Sequence, residues 1–418
     1  MTDVVLGIDI GTSGVRIVAR ARDGLMPAIA ACQMDLPEQM QSHVKQDPQI
    51  WWHAVEIAFG SLDLAGLCVR AIAVDGTSGT ILPVDPDGTV LGLASMYNDH
   101  ADSEDSARVA TVAPLFSAAR GATSPLARAL KVKSRVVHQA DWIMGQFCGR
   151  FDVTDENNAL KSGYDPITRC WPSWISETGF DIRQFPKVVA AGTEIGTITK
   201  ERALQFGLPS DVVLVTGTTD GCAAFLASGA QNEGDGVTSL GSTLTLKLLS
   251  ATPVFAPQYG IYSHRIGDRW LAGGASNSGG HVLAQEFGKS EIAKLSERVD
   301  PEKPTGLDYY PLPSRGERFP VNDARLEPRM VPRPLDDTIY FQALLEGIAK
   351  IEALGYQRLA ELGASPLTSI RSVGGGAANT KWTAIRLKTL NVPGFAPASE
   401  HAAMGVARLA WWGLGHAD

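Results

Sequence analysis

Residues 236–248 read GVTSLGSTLTLKL, and residues 4–18 read VVLGIDIGTSGVRIV. Both run from apolar residues, through a turn of Gly with Ser and Thr neighbours, into a second apolar run. Each layout is that of two strands joined by a tight turn. Val4 to Ile10 is almost continuously apolar, as expected of a central strand covered on both faces. Asp23-Gly24 then marks a further hairpin, with a third strand near Ile29. Two such openings in one chain imply two similar α/β halves.

Working outward, strand and helix patterns alternate. Trp51 to Ala58 has helical periodicity. Val69–Val74 reads as a strand ending in Asp75-Gly76-Thr77-Ser78-Gly79-Thr80. Residues 126–148 read as helix. Val212–Thr216 is a buried strand, followed by Gly217-Thr218-Thr219-Asp220-Gly221 and the helical Cys222–Ala227. Residues 300–335, rich in Pro, Arg and Asp, read as a long loop. A helix is expected from Phe341 to about Leu362. The strand Ile370–Val373, the turn Gly374-Gly375-Gly376-Ala377 and a helix from Asn379 to Leu390 follow, and a helix from His401 to Trp412 closes the pattern.

Composition narrows the classes. The chain has 418 residues, 43 of them Gly and 24 Pro, which excludes a coiled coil and suits an enzyme with many tight loops. A net charge of -8 argues against a nucleic-acid or anionic-membrane partner. No apolar run approaches the ~20 residues of a membrane span. The opening MTDVVLGIDIG reads as a strand rather than a signal peptide. Five widely spaced cysteines without a C-x-x-C fit neither a disulfide framework nor a zinc site, so a cytoplasmic setting is expected.

Three turns carry candidate chemistry. The hairpin turn after Asp9 exposes backbone N–H groups and hydroxyls suited to a phosphate. Asp9 there could hold Mg²⁺ through water, and Arg16 could neutralise phosphoryl charge; the plain alternative is a hairpin whose Asp and Thr satisfy the turn backbone. Asp220 sits where a helix begins, so it is either an N-cap or a general base, and one carboxylate can be both. The Gly374–Ala377 turn between strand and helix lets a ligand approach the backbone, or is a flexible connection. The polar clusters Asp75–Thr80 and Tyr97-Asn98-Asp99 could bind sugar hydroxyls or be ordinary loops. Gly288-Lys289-Ser290 is not a phosphate loop, because that motif needs Gly where Leu283 stands.

Taken in order, these segments resemble the FGGY carbohydrate kinases of the actin/hexokinase/Hsp70-like superfamily. The resemblance rests on Gly7–Ser13 with Arg16, Gln46-Asp47-Pro48 before Trp51-Trp52, and Thr154-Asp155 with Ser162–Asp165 and Trp171. It continues through Gly217–Asp220, Ser239–Ser242, Gly316-Glu317-Arg318 with Pro320, Glu346-Gly347, Val373–Ala377 and Ala403–Ala407. It implies two actin-like (ribonuclease H-like) α/β domains with mixed sheets flanked by helices and an ATP cleft between them. The expected domains are 1–227, on the sugar and Mg²⁺ side, and 228–418, on the nucleotide side, with the last helix (about 401–418) packing back on the first.

The resemblance also implies roles. Asp220 matches the catalytic base, and Asp9 the acidic residue near Mg²⁺. Gly11, Thr12 and Ser13 match the first phosphate hairpin, Gly241, Ser242 and Thr243 the second, and Gly374, Gly375, Gly376 and Ala377 the adenosine loop. Asp9, Asp75, Thr77, Ser78 and Asp220 are the expected sugar-side residues. Two departures bear on the substrate. Where xylulokinases carry Q-M-H-G this chain has Asp75–Thr80, and where the family has W-x-D-x-R it has Tyr97–Ala101. The first string is more similar to ribulose-type kinases, the second lacks the family's Trp and Arg, and both tell against xylulose or glycerol; the short chain is similar to compact D-ribulose kinases. The expected reaction is MgATP-dependent phosphorylation of D-ribulose by a monomer or homodimer, with sugar and ATP as small-molecule partners. The alternatives are xylulose or another ketose or polyol, and a non-catalytic sugar-binding regulator.

Overall fold

The computed structural model describes residues 1–416; the last two residues of the expected second domain and closing helix, 417 and 418, lie outside the described residues. The chain divides into two compact units. One comprises residues 1–227 and 264–267 together with the chain from His401; the other comprises residues 228–263 and 268–400.

In the first unit, β1 (Thr2–Ile10), β2 (Gly14–Ala21), β3 (Ala28–Gln33), β4 (Leu67–Gly76) and β5 (Val213–Thr219) share one sheet in the order β5-β4-β1-β2-β3, with Glu194–Thr197 at the edge beside β5. β1, β4 and β5 are mutually parallel, while β2 and β3 return antiparallel. Val4, Val5, Leu6, Ile8 and Ile10 are all fully buried. Each gains about 1.5–3 kcal/mol from burial, enough to hold an apolar run as a central strand. The break in that run is Gly7, where a Cβ would lie 1.9 Å from the carbonyl oxygen of Ala403. The closing helix (Ala402–Gly413) therefore lies directly on β1. Its own Gly405 would place a Cβ 1.8 Å from the Ala223 carbonyl oxygen, so it also crosses α1 (Asp220–Ala227) at backbone contact.

A second sheet in this unit pairs short antiparallel strands drawn from residues 38–46, 81–84, 94–95 and 135–138. The expected helix over 126–148 is thereby divided. Pro125–Ala129 is a short helix, Arg135–His138 a strand and Gln139–Cys148 a helix. The β-branched pair Val136-Val137 takes its place in the ladder against Leu82 and Pro83.

The second unit repeats the plan. β6 (Asp235–Leu240), β7 (Leu244–Ser250), β8 (Arg269–Ser276), β9 (Ser369–Val373) and β10 (Gly394–Phe395) run in the order β8-β7-β6-β9-β10. The β6–β7 and β7–β8 pairs are antiparallel, and the β6–β9 and β9–β10 pairs parallel. Strand for strand, this is the sense and order of β3-β2-β1-β4-β5. The long α2 (Asp337–Glu361) covers this sheet, starting four residues before the expected Phe341 because Asp336 accepts a hydrogen bond from the Thr338 N–H and caps a polar first turn. α3 (Thr380–Leu390) follows β9 and is capped by Asn379. Residues 300–335 form turns with isolated bridges, as expected of a loop. Among the described residues no helix is long and apolar enough to cross a membrane.

Candidate active site

Three neighbouring parallel strands of the first unit end in acidic residues. In the β1–β4 register Asp9 lies opposite Asp75, and in the β4–β5 register Asp75 lies opposite Thr218. Asp220 follows two residues later and opens α1. The carboxyl ends of parallel strands are where open α/β sheets bind ligands. The close approach of β5 to β4 depends on Gly217, whose Cβ would fall 1.7 Å from the Val74 carbonyl oxygen.

The three carboxyls differ in exposure. Asp75 is completely buried, and neither of its side-chain oxygens has a hydrogen-bond donor. Burial, reinforced by the carboxyls of Asp9 and Asp220, pushes it well above the usual carboxylate range. Asp9 keeps 16% of its side chain exposed, with the Arg16 guanidinium 4.0 Å away. Burial and Asp220 raise its pKa, partly offset by contact with Asp75 and the charges of Arg16 and His401. Asp220 is half-buried, and its Oδ1 accepts a 2.7 Å hydrogen bond from the Gly221 N–H. The carboxylate thus acts on the start of α1.

The hairpin turn Gly11-Thr12-Ser13 adjoins Asp9. It is closed by the Gly11 N–H donating to the Gly14 carbonyl at 3.0 Å, and Met34 N donates to the Ser13 carbonyl. Arg16 stands opposite Asp9 in the β1–β2 register with 39% of its side chain exposed.

The loop after Asp75 is tied down from beneath. Gln139 Oε1 accepts from both the Thr77 N–H (2.9 Å) and the Thr77 hydroxyl (2.7 Å), and that hydroxyl also lies 2.6 Å from Thr80 Oγ1. Lys161 Nζ donates to the Ser78 carbonyl, and Arg128 Nη2 to the Gly79 carbonyl. Burial lowers the Arg128 pKa to about 10. Of the expected sugar-side residues in this loop, Asp75 and Thr77 are internal and Ser78 is half-buried. Asp99 is internal as well, held by Val44 N, Lys45 and the Ser95 hydroxyl.

The second unit holds the remaining candidates together. The β6–β7 turn Gly241-Ser242-Thr243 exposes Ser242 and Thr243, while the carbonyls of Gly241 and Ser242 accept from the N–H groups of Gly280 and His281. The turn Gly374–Ala377 packs on Leu240, at the base of that hairpin. A Cβ on Gly374, whose φ is +84°, would meet the Leu240 backbone at 3.2 Å; one on Gly376 would meet the Trp382 ring at 2.6 Å. Beside it opens a cavity of about 570 Å³, lined by Ser372, Gly375, Thr383, Leu387, Phe395 and Glu400 among others. Thr383, Phe395 and Ser372 escaped the sequence reading. Thr383 lies one helical turn beyond Asn379 and could have been sought there; Phe395 stands on a two-residue strand with no periodic signal.

Among the described residues no three His, Cys, Asp or Glu side chains converge to ligate a metal. Mg²⁺ does not require such a set, taking one or two carboxylates with phosphate oxygens and water for the rest. The solvent-reached Asp9 and the donorless oxygens of Asp75 fit that chemistry.

Residues 236–414 match the family model described as FGGY family of carbohydrate kinases, C-terminal domain. Over 447 residues the chain is 24% identical to a xylulose kinase of Staphylococcus epidermidis, covering 99% of this chain and 88% of the relative. It is 26% identical to an L-fuculokinase of Salmonella typhi over 263 residues, 58% of this chain and 52% of that one. The crystal structure of a xyloylose kinase from Brucella ovis has the same fold, with a TM-score of 0.88 at 23% identity, over 99% of this chain and 91% of the other. Residues 236–414 thus match the C-terminal domain of the FGGY carbohydrate kinases, and over nearly its whole length the chain shares the fold of the xyloylose kinase.

Proposed function

We propose that this kinase transfers the γ-phosphoryl group of MgATP to the terminal hydroxyl of a ketopentose, D-ribulose giving D-ribulose 5-phosphate. The observation that supports this most is the row of strand-end carboxylates, in which the partly buried Asp220 is bonded at the start of its own helix. Asp220 accepts the proton as the hydroxyl oxygen attacks phosphorus and the bond to ADP breaks, a role worth about 10²–10⁴-fold. In the first hairpin the N–H groups of Thr12 and Ser13 are offered to phosphate oxygens, that of Gly11 being used to close the turn; the turn Gly241–Thr243 is suited to the same task, and Arg16 offsets phosphate charge. Gly374–Ala377 and the adjoining cavity receive the adenosine. Ser78, the half-buried member of the 75–80 loop, faces the sugar. Asp9 would hold Mg²⁺, which would supply charge neutralisation for the phosphates. Alignment and charge, rather than covalent help, carry phosphoryl transfer.

A second reading, xylulose as acceptor, is favoured by the names of the similar kinases from S. epidermidis and B. ovis. The loop Asp75–Thr80, which lacks the Q-M-H-G of xylulokinases, supports ribulose instead. ADP release measured over D-ribulose, D-xylulose, tetroses and polyols tests both. Highest kcat/KM with D-ribulose is expected. A higher value with D-xylulose overturns the substrate, and sugar binding without sugar-stimulated ADP release overturns catalysis.

A further inference from the structure

We propose that Asp75 is a second carboxylate anchor for the divalent cation, acting beside Asp9. The inference rests on the kinase reading and deepens its metal side.

Asp75 is an anomaly among the acidic residues of the first unit. Asp99 is buried and accepts from a backbone N–H, a lysine and a serine. Asp155 is buried and accepts from Asn157 N, Asn158 N and Asn158 Nδ2. Asp141 is bonded to His138, and Asp105 lies 3.3 Å from Lys131. Among the described residues, Asp75 is the one carboxylate whose buried oxygens have no donor group, its one side-chain contact being with the carboxyl of Asp9. The groups that face it are the carboxyls of Asp9 and Asp220 and the thiol of Cys222, none of them a cation. A buried carboxylate with no donor is costly unless a positive charge reaches it.

The β1–β4 register sets Asp75 against Asp9, the carboxylate that is open to solvent. The guanidinium of Arg16 is the cation that faces Asp9, at 4.0 Å. A hard cation taking one oxygen from Asp9 and one from Asp75, with phosphate and water completing its shell, satisfies the orphaned group and uses the chemistry Mg²⁺ prefers. The competing account is a proton shared by the two carboxyls, in which Asp75 has no metal role.

Mn²⁺ separates the two accounts. Free Mn²⁺ is followed by electron paramagnetic resonance during titration of the full-length protein at saturating ADP without sugar, against ADP alone. Asp75→Asn, which keeps the shape and can share a hydrogen bond with Asp9, is expected to raise the Mn²⁺ dissociation constant about tenfold or more, with ADP affinity in EDTA and the urea midpoint unchanged. Asp75→Ser, smaller and equally uncharged, should do the same. Mn²⁺ affinity within twofold of wild type in either folded variant overturns the proposal, as does wild-type protein that binds no Mn²⁺ beyond the ADP control. Collapse of the urea midpoint in both variants assigns Asp75 a structural role and overturns it too. The kinase reading is scored separately: it fails if wild type shows no sugar-stimulated ADP release, whatever the Mn²⁺ result.

Discussion

Asp9 and Asp75 stand opposite each other where two parallel strands end, one carboxyl open to solvent and the other shut away without a donor. Asp220 ends the same row one strand further along. A row of three acids is unfavourable by like-charge repulsion and burial, and sites that keep such arrangements use them.

Asp220→Asn distinguishes the base from the cap. An Asn Oδ1 can still accept from the Gly221 N–H, so the start of α1 survives. Sugar-stimulated ADP release should fall about 10²–10⁴-fold, with ADP binding and the thermal midpoint retained. Near-normal turnover would leave Asp220 as a helix cap alone.

Adjacent glycines in the turn Gly374–Ala377 should respond differently. A Cβ on Gly376 would enter the Trp382 ring, at 2.6 Å, and the Leu240 side chain, at 2.8 Å. Trp382 cannot yield easily, being buried with its indole N–H bonded to the Leu345 carbonyl. A Cβ on Gly375 meets nothing within 4 Å. Gly376→Ala is expected to cost about 1–3 kcal/mol of unfolding free energy, and Gly375→Ala less than about 0.5 kcal/mol. Equal urea curves for the two variants would contradict this packing.

Asp155 supplies a pH signature in the first unit. Burial, with Asp141 nearby, raises its pKa to about 7, so folding favours its neutral form. Its stabilising contribution is full below the ordinary carboxylate pKa and is lost as pH rises through about 7. Stability should therefore decline from about pH 5 to 8 by at most ~1.4 kcal/mol per pH unit from this group. Asp155→Asn keeps acceptors for the Asn157 and Asn158 N–H groups and should flatten the profile. Urea midpoints at pH 5 and pH 8 decide it, and an unaltered slope in the variant refutes the assignment.

The duplicated hairpins were legible because each is local: an apolar run, a Gly and hydroxyl turn, and an apolar return within about fifteen residues. Asp9, Asp220 and the glycines of the turns at 241–243 and 374–377 lie on such punctuation. What escaped was set by distant partners. Val136-Val137 became a strand through pairing with residues 82–83, and strands of two to four residues fall below any periodicity window. Asp75 and Thr77 read as an exposed sugar loop, yet the first is buried through the β1 register and the second is held by Gln139, 62 residues later. No local pattern encodes either.

The cavity beside Gly374–Ala377 rests on a buried ion pair. Glu352 of α2 and Arg386 of α3 meet through two contacts of 2.6 Å, with side chains 0% and 1% exposed. Thr238 on β6 also donates to Glu352, and Arg386 Nη1 reaches Ser372 Oγ, on the cavity wall, at 2.7 Å. Removing one partner strands the other charge in the core. Arg386→Met should therefore cost about 3–5 kcal/mol of unfolding free energy and weaken ADP binding through Ser372. Combining it with Glu352→Gln should recover part of that loss, because the isolated carboxylate is then gone; residues in direct contact couple by roughly 0.5–3 kcal/mol. Urea unfolding of the two single variants and the double variant closes the cycle. Strict additivity would mean that the two side chains act independently, and that α2 and α3 are held beneath the cavity by apolar packing alone.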